Sequence, residues 1–300
     1  MRVLKPEAQS AQDTEPAQSL ITMRQLLSHS AGLSYGFMEP DSIIDKTYTE
    51  NHIGTAPNAK RTLAQLCEML ADMPLAYQPG TSWRYSFATD VVARVVEVLS
   101  NQRFDEFLRA RIFEPLGMVD TDFYVPADKV DRLITEYASA NIMRPRDGGL
   151  VKTDDAASSF YLKQRPMLSG GGGLLSTVPD YLSFLRMIIN GGEWQGARLL
   201  QPETVALMRS NQLGPGIQVK FPFWHMRDTV FGLGFAIKQS PARDEPESAT
   251  DEYHWGGMAG THTWMAPRAN IAGMCMSQLN PGFWHRFSHD FKRMVYERLG

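Results

Sequence analysis

Apolar residues recur at helical spacing along the first two thirds of the chain. Thr22 and Thr62 each stand directly before such a segment, at the position that Ser, Thr, Asp and Asn favour at a helix start. Helices are predicted in MRQLLSH, which Gly32 should stop, and in LAQLCEMLADM, DVVARVVEVLS, FDEFLRARIFEPLGM, PDYLSFLRMIINGG and the residues from Gln201 to Gln212. The third of these carries a wide apolar stripe that consists of Val91, Val92, Val95, Val96 and Leu99.

The pattern changes at Phe231, where strands replace helices. The segments FGLGFAIKQ, THTWMAP and NIAGMCMSQ are typical of strands joined by turns, and an amphipathic helix is predicted from Phe283 to Leu299. The stretch from Asp120 to Leu168 is polar and irregular. This order predicts a single α+β domain over residues 1–300, in which a mainly helical lobe at 20–230 packs beside an antiparallel sheet, with a terminal helix, at 231–300.

Composition narrows the classes of partner. The net charge is −3 without a basic cluster, which argues against nucleic acid. No apolar run approaches the ~18 residues that a membrane span needs, and the first residues show no signal peptide. The two cysteines fall in a helical and a strand pattern, so Cys67 and Cys275 are predicted to be buried thiols rather than a disulfide.

Several familiar chemical motifs are absent or incomplete in this sequence. The glycine run Gly170–Gly173 is followed by two leucines rather than by the Lys-Ser/Thr of a phosphate-binding loop. His285 and His289 have metal-ligand spacing, but Arg286 replaces the glutamate of a zinc protease, so a solvated helix face is favoured and no metal is expected.

Two segments carry candidate chemistry. In PGTSWRYSFATD, a Tyr-Ser pair follows a Pro-Gly turn and precedes an apolar helix, so the phenol of Tyr85 is either a proton shuttle or a packed tyrosine with a bonded hydroxyl. In HWGGMAGTHTWMAP, glycines within a strand allow close approach of another backbone or of a ligand. Backbone N–H groups there can polarise a carbonyl, and a pure packing role stays open.

Five segments together resemble one family. They are ITMRQLLSHSAGLSYG, PGTSWRYSFATDVVARVVEVLS, FLRARIFEPLGMVDTDFYVP, SGGGGLLSTVPDYLSFLRMIINGG and HWGGMAGTHTWMAP, and in this order the chain resembles the serine β-lactamase and penicillin-binding-protein superfamily, closest to the family VIII carboxylesterases. The resemblance implies a cytoplasmic serine hydrolase that acts on small acyl esters through an acyl-enzyme, without a cofactor.

The same resemblance assigns roles to particular residues. Tyr85 matches the catalytic tyrosine of a Y-S-x motif, with Ser86 beside it as a further candidate. Trp255, Gly256 and Gly257 match the W-G-G motif that lines the site, and the backbone N–H of Met258 falls where the family places an oxyanion donor. His254 is an alternative candidate, because His254 to Gly256 can be read as an H-x-G version of this motif.

One element of the family pattern is missing. No serine in the chain has a lysine three residues on; Ser159 is one of the serines with a lysine four residues on, at Lys163. In the family, the S-x-x-K nucleophile helix and the first two strands precede the region that begins here at Ile21. The chain is therefore expected to be N-terminally truncated and inactive alone.

This expected loss has structural consequences. The strand Ile271–Ser277 should become an exposed apolar edge, so that the chain is marginally folded or self-associates. Two other functions stay open: a non-catalytic relic that binds a ligand or partner, and an enzyme completed by a separate N-terminal segment.

Overall fold

The helices begin where the sequence supplies a side chain that accepts the first free N–H groups. Thr22 and Thr62 both form capping boxes with a glutamine three residues on, and the hydroxyl of Thr177 accepts from Asp180 N–H. The computed structural model describes residues 1–54, 60–141, 148–222, 226–243, 245–282 and 286–299. Its α-helices are α1 Met23–Leu27, α2 Ile43–Glu50, α3 Leu63–Ala71, α4 Ala88–Ser100, α5 Phe104–Leu108, α6 Val178–Ile189, α7 Pro202–Met208 and α8 Phe287–Leu299.

The strands are short. They are β1 Arg2–Leu4, β2 Thr14–Pro16, β3 Glu136–Ser139, β4 Leu150–Asp154, β5 Glu193–Trp194, β6 Ala197–Arg198, β7 Thr229–Phe231, β8 Ala236–Lys238, β9 Tyr253–Gly256, β10 His262–Ala266 and β11 Ile271–Cys275. Three two-stranded pairs form from β1 and β2, β3 and β4, and β5 and β6, and a five-stranded sheet has the order β11-β10-β9-β8-β7.

Several elements differ from the sequence prediction. The first helix ends at Leu27, ahead of Gly32, and the predicted helix around Phe104 gives way after α5 to a π-helical turn, Arg109–Phe113. In α4 the buried residues are Ala88, Asp90 and Ala93, whereas Leu99 of the predicted apolar stripe is 82% exposed. The apolar stripe of α4 therefore marks its buried face only in part: Val91 and Val92 pack against the core clusters, and Leu99 does not.

The chain divides into two compact units. The first consists of Met1–Leu108, Arg165–Gly173 and Ala206–Ile237, and the second of Arg109–Gln164, Leu174–Val205 and Lys238–Gly300. Two apolar clusters fill the first unit: one has Tyr35, Met38, Ile44, Tyr48, Ile53, Leu66, Leu70 and Phe87, and the other Val3, Leu26, Ala31, Leu33, Leu75 and Ala88.

In the second unit, the hairpin β9–β10 and strand β11 form an antiparallel ladder. His262 lies opposite Gly256 on one side and Cys275 on the other, and Trp264 lies opposite His254 and Gly273. The next strand joins through Lys238, whose backbone N–H donates to the carbonyl of Glu252 at 2.9 Å. In this register, Gly256 of the W-G-G segment is the last residue of β9 before the hairpin turn.

β11 is the last strand in the sheet order, and no strand of the described ranges pairs with its outer edge. Its first four residues are half-buried and Cys275 is buried. An edge of this kind presents unpaired backbone groups to another chain. Self-association through β11 stays a prediction. Both cysteines are free thiols, as predicted, although Cys67 is only half-buried.

Candidate active site

The segment that contains Tyr85 is anchored along another part of the first unit. The N–H of Arg84 donates to the carbonyl of His29 at 3.0 Å, and the N–H of Phe87 donates to the carbonyl of Ser34 at 3.3 Å. These bonds bring together HSAGLS and RYSF, two segments that are more than fifty residues apart in the sequence. The backbone on both sides of Tyr85 is thereby fixed before any side-chain contact is considered.

The Tyr85 ring is half-buried in a group of aromatic side chains. Its centroid lies 4.7 Å from that of His29, 5.1 Å from Tyr35 and 5.8 Å from Phe221. The Tyr35 contact is edge-on, the arrangement that aromatic quadrupoles favour. Packing on several sides restricts the rotamers of the phenol, so that its position is defined by the fold.

Arg84 holds the same segment through charged bonds. Its guanidinium donates to Ser34 Oγ at 2.8 Å and to Asp45 Oδ1 at 3.1 Å, and it pairs with Glu39 at 2.7 Å. Asp45 has no solvent exposure, and it also accepts from the Ser34 hydroxyl. Arg84 thus compensates a buried carboxylate next to the candidate catalytic tyrosine.

Ser86 is enclosed, with 1% of its surface exposed. Its hydroxyl accepts from the N–H of Ala88 at 3.4 Å, and His29 Nδ1 lies 3.5 Å from it. The bond to Ala88 satisfies a donor at the start of α4, where Phe87 offers no capping side chain. The place of Ser86 as a further candidate residue of the site stays a prediction.

The other serine that the sequence singled out, Ser159, has a local structural role. Its hydroxyl donates to Asp154 Oδ2 at 2.5 Å and accepts from the N–H of Tyr161 at 3.0 Å. It caps a short 3-10 helix that begins at Phe160. Since Lys163 is exposed, nothing in these contacts makes Ser159 and Lys163 a nucleophile pair.

Buried His29 should make folding sensitive to acid. Burial lowers the pKa of His29 from 6.5 to about 3, so the folded state stays neutral while the unfolded state binds a proton below pH 6.5. Stability is therefore lost as pH falls from 6.5 towards 3. Between pH 7 and pH 5, His29 should account for about 2 kcal/mol of the fall in unfolding free energy.

The substitution His29→Asn tests this expectation in urea titrations at the two pH values. Asparagine tolerates the positive φ of His29, which is 56°. The matched control is His52→Asn, since exposed His52 has the same φ. The first variant should lose the 2 kcal/mol of pH dependence and the second should keep it; equal pH dependence in both would exclude the assignment.

The W-G-G segment lies at the end of β9 and enters the hairpin turn. The N–H of Gly257 donates to the carbonyl of Thr261 at 2.8 Å, and that of Gly260 to the carbonyl of Gly257 at 3.0 Å. A Cβ on Gly256 would lie 2.7 Å from the carbonyl oxygen of Thr261, and one on Gly257 would lie 2.3 Å from its Oγ1. Both glycines therefore have a packing reason, because only a hydrogen fits against Thr261.

Met258 follows these glycines and is exposed, as they are. Its side chain is 47% exposed, and its carbonyl accepts from the N–H of Gly282. Within the described ranges, the N–H of Met258 has no hydrogen-bond acceptor. An unpaired N–H on an exposed turn can donate to a ligand oxygen, which is what an oxyanion donor must do.

Gly257→Ala should lower the unfolding free energy by about 1–3 kcal/mol, because the new methyl group overlaps Thr261 Oγ1. The double variant Gly257→Ala, Thr261→Ala should regain most of this loss, since the overlapping atom is then gone. Gly172→Ala is the control, because a Cβ there meets nothing within 4 Å. Thermal melts of the four proteins measure the effect, and an unchanged melt for Gly257→Ala would refute it.

His254 points away from the exposed turn. Its Nε2 is buried without a hydrogen-bond partner among the described residues, and its ring lies 6.0 Å from that of His262. Burial, assisted by the charges of Lys292 and Lys238, holds the pKa of His254 well below its usual range. His254 is therefore a neutral, enclosed imidazole, and the candidate H-x-G role stays a prediction.

The described part of the chain contains no group of three or more His, Cys, Asp and Glu side chains that could hold a metal ion. His289 packs against His262 with ring centroids 5.6 Å apart, and His285, four residues earlier in the sequence, lies outside the described residues. Within the same ranges, no helix has the length and apolar character needed to cross a membrane.

The predicted site residues fall into two groups. Tyr85 and Ser86 lie in the first unit, with His29, Tyr35 and Arg84 around them. The second unit contains His254, Trp255, Gly256, Gly257 and Met258. Sequence reasoning did not assign His29, Tyr35 or Arg84. Although His29 and Tyr35 belong to the segment HSAGLSY, the only sign of a role in the sequence was a run of polar and aromatic residues beside a helix.

Comparison with known proteins identifies the family of this chain. A profile of the Beta-lactamase family matches residues 4–294. The chain belongs to this family. It is 32% identical over 286 residues to Protein Rv1367c of Mycobacterium tuberculosis, covering 93% of this chain and 67% of that protein. It is 31% identical over 271 residues to Esterase EstB of Burkholderia gladioli, covering 86% of this chain and 64% of EstB.

The fold of this Beta-lactamase family chain agrees with a solved structure. EstCE1, described as a hydrolase with promiscuous acyltransferase activity, matches with a TM-score of 0.74 at 25% identity, over 93% of this chain and 72% of EstCE1. The predicted β-lactamase/transpeptidase-like fold is thus confirmed. The chain spans about two thirds of the length of the two sequence relatives. The relatives named as an esterase and as a hydrolase support the view that this chain is a serine hydrolase or acyltransferase by kind.

Proposed function

We propose that this chain carries the proton-transfer and oxyanion parts of a serine hydrolase that cleaves small acyl esters through an acyl-enzyme. The main support is the setting of Tyr85: its phenol is half-buried, packed by aromatic rings and fixed by backbone bonds on both sides. EstB and EstCE1 are named as an esterase and a hydrolase, which favours ester substrates for this relative.

In the proposed reaction, a serine oxygen attacks the ester carbonyl, and the phenolate form of Tyr85 takes the proton that the serine loses and becomes a neutral phenol. The same phenol then returns a proton to the leaving alcohol, and a water molecule hydrolyses the acyl-enzyme by the reverse sequence. The negative charge on the carbonyl oxygen needs a preorganised donor. The N–H of Met258, which has no hydrogen-bond acceptor among the described residues, is the candidate for this role.

The serine itself is the part that the printed sequence does not provide in the family pattern. No serine has a lysine three residues on, and the two serines discussed above, Ser86 and Ser159, are enclosed by local hydrogen bonds. A triad-type site without its nucleophile keeps only binding and oxyanion effects. We therefore propose that this chain alone is inactive towards esters.

Ester turnover tests the proposal directly. The purified chain should neither hydrolyse p-nitrophenyl butyrate above the buffer rate nor react with a fluorophosphonate probe. Co-expression with a segment that carries the S-x-x-K motif of the family should restore hydrolysis, and Tyr85→Phe should then lower the rate about 100-fold or more. Tyr48→Phe, at a buried tyrosine that bonds to Ser34 N–H, is the matched control and should keep the rate.

The outcomes separate the alternatives. Labelling of the chain alone would show a nucleophile outside the family pattern, whereas failure of co-expression to restore any turnover would count against the enzyme. The missing S-x-x-K favours one second candidate, a non-catalytic protein that binds a ligand. That protein would be stabilised by an ester or its acid in a thermal melt, without forming a covalent adduct.

A further inference from the structure

The buried face of the terminal helix α8 is polar. Ser288, Lys292 and Tyr296 recur every four residues and are buried against the rest of the second unit. Lys292 pairs with Glu252 and Glu245, and the Tyr296 hydroxyl donates to Glu252 at 2.8 Å. These bonds fix the rotation of α8 about its own axis, because a rotated helix would leave the buried carboxylate of Glu252 without these two partners.

The apolar side chains of α8 consequently lie on an exposed face. Phe287, Phe291 and Met294 are 59%, 42% and 60% exposed, and their spacing of four and three residues places them in one row, the outer stripe. The ring of Phe291 also touches Trp264 of β10, with centroids 6.0 Å apart. A surface helix normally turns its apolar stripe towards the core, so a stripe that faces solvent indicates an interaction surface.

A row of charged side chains, the charged row, runs along one side of the outer stripe. Its members are Arg286, Asp290, Arg293 and Glu297, all exposed, and they form two ion pairs within the helix, at 3.6 Å and 2.6 Å. The sign of the charge therefore alternates along α8, beginning with a cation and ending with an anion. Because the order of signs is reversed when the row is followed from its other end, the charged row is complementary to an antiparallel copy of itself.

We propose that α8 pairs with the α8 of a second copy of this chain, in antiparallel orientation about a twofold axis next to Phe291. In such a pair, Arg286 lies opposite the partner's Glu297, and Asp290 lies opposite the partner's Arg293. Both pairings are centred on the same point, between residues 291 and 292, so one axis satisfies them together. The two outer stripes then pack against each other across the axis, as a twofold interface requires of a single surface.

Other ways of associating fit these features less well. In a parallel pair of α8 helices, every charge of the charged row would face a charge of the same sign, which is destabilising. Pairing through the outer edge of β11 would use backbone groups and would be indifferent to the charged row. One helix face is smaller than the ~20–30 residues that each partner contributes to a standard interface, so we expect a weak dimer with a dissociation constant of about 10–100 μM.

Sedimentation velocity tests the surface. The unmodified chain should change from monomer to dimer between about 1 μM and 1 mM. Met294→Asp should raise the dissociation constant about 10-fold or more, because it places a charge within the paired outer stripes. Leu99→Asp is the matched control, since Leu99 is an exposed apolar residue of α4 in the first unit, and it should leave the dissociation constant unchanged. A monomer at every concentration, or equal dimerisation of Met294→Asp and the unmodified chain, would overturn the proposal.

A charge-swapped variant tests the orientation of the two helices. It carries Arg286→Glu, Asp290→Arg, Arg293→Glu and Glu297→Arg, which keeps both ion pairs within α8 and reverses every sign in the charged row. The variant should dimerise with itself as tightly as the unmodified chain does. A trace of dye-labelled variant in excess unmodified chain, followed by fluorescence-detected sedimentation, should bind about 10-fold more weakly, since like charges then face each other. A mixed pair as tight as the unmodified dimer would contradict the antiparallel arrangement, and a tighter one would show parallel pairing instead.

Discussion

Arg84→Ala is expected to lower the free energy of unfolding by about 3–5 kcal/mol, because it leaves a buried carboxylate without its cation. Asp45 has no exposed surface, and its Oδ1 lies 3.1 Å from the Arg84 guanidinium. The Ser34 hydroxyl and the N–H of Glu39 also bond to Asp45, but neither carries a charge that offsets the carboxylate. Urea denaturation followed by circular dichroism measures the loss.

The chain offers a matched control for this prediction. Arg94 forms an ion pair with Glu97 in α4, and its side chain is 36% exposed. Arg94→Ala should therefore change stability by less than about 1 kcal/mol, as solvent-screened pairs do. Asp45→Asn in the Arg84→Ala background should recover part of the loss, since the unpaired charge is then removed. Equal effects of Arg84→Ala and Arg94→Ala would contradict the assignment of a buried pair.

The sequence predicted the helices whose start depends on local chemistry. Thr22 and Thr62 are capping residues in the structure, as their positions directly before the apolar segments predicted. It did not predict α2, where Ser42 caps a helix with two threonines, a tyrosine and two isoleucines. Such residues have weak helix propensity, and the helix is stabilised by the burial of Ile44 and Tyr48 in the core.

The residues of the candidate site differ in the same way: one motif is contiguous in the sequence, whereas the other residues are identified only by contacts between distant segments. Tyr85 was found because its motif is contiguous in the sequence. His29, Tyr35 and Arg84 act through contacts with partners that lie remote in the chain, and no periodicity encodes those contacts. The glycines of W-G-G were consistent with packing or function, and Thr261 supplies a packing reason without excluding a role in the site.

Glu252→Gln is expected to destabilise the second unit by about 3–5 kcal/mol, because it leaves two buried ammonium groups with one carboxylate. Glu252 has no exposed surface and lies 3.3 Å from Lys238, and its carboxylate also accepts from Lys292 and from the Tyr296 hydroxyl at 2.8 Å. Burial alone would raise the pKa of Glu245, but Lys292 and Lys238 hold it at about 2. Glu245 is thus already ionised at pH 7 and cannot supply a further charge.

The comparison that decides this prediction uses a second glutamate near the same helix. Glu297 pairs with Arg293 on the exposed face of α8, so Glu297→Gln should cost less than about 1 kcal/mol. Because the pKa of Glu245 is depressed, the stabilisation from its ionised form should be lost as pH falls from 4.5 towards 2, and this loss should be smaller in Lys292→Met. If Glu252→Gln and Glu297→Gln melt alike, the buried cluster contributes nothing beyond surface ion pairs, and the charge argument for the second unit fails.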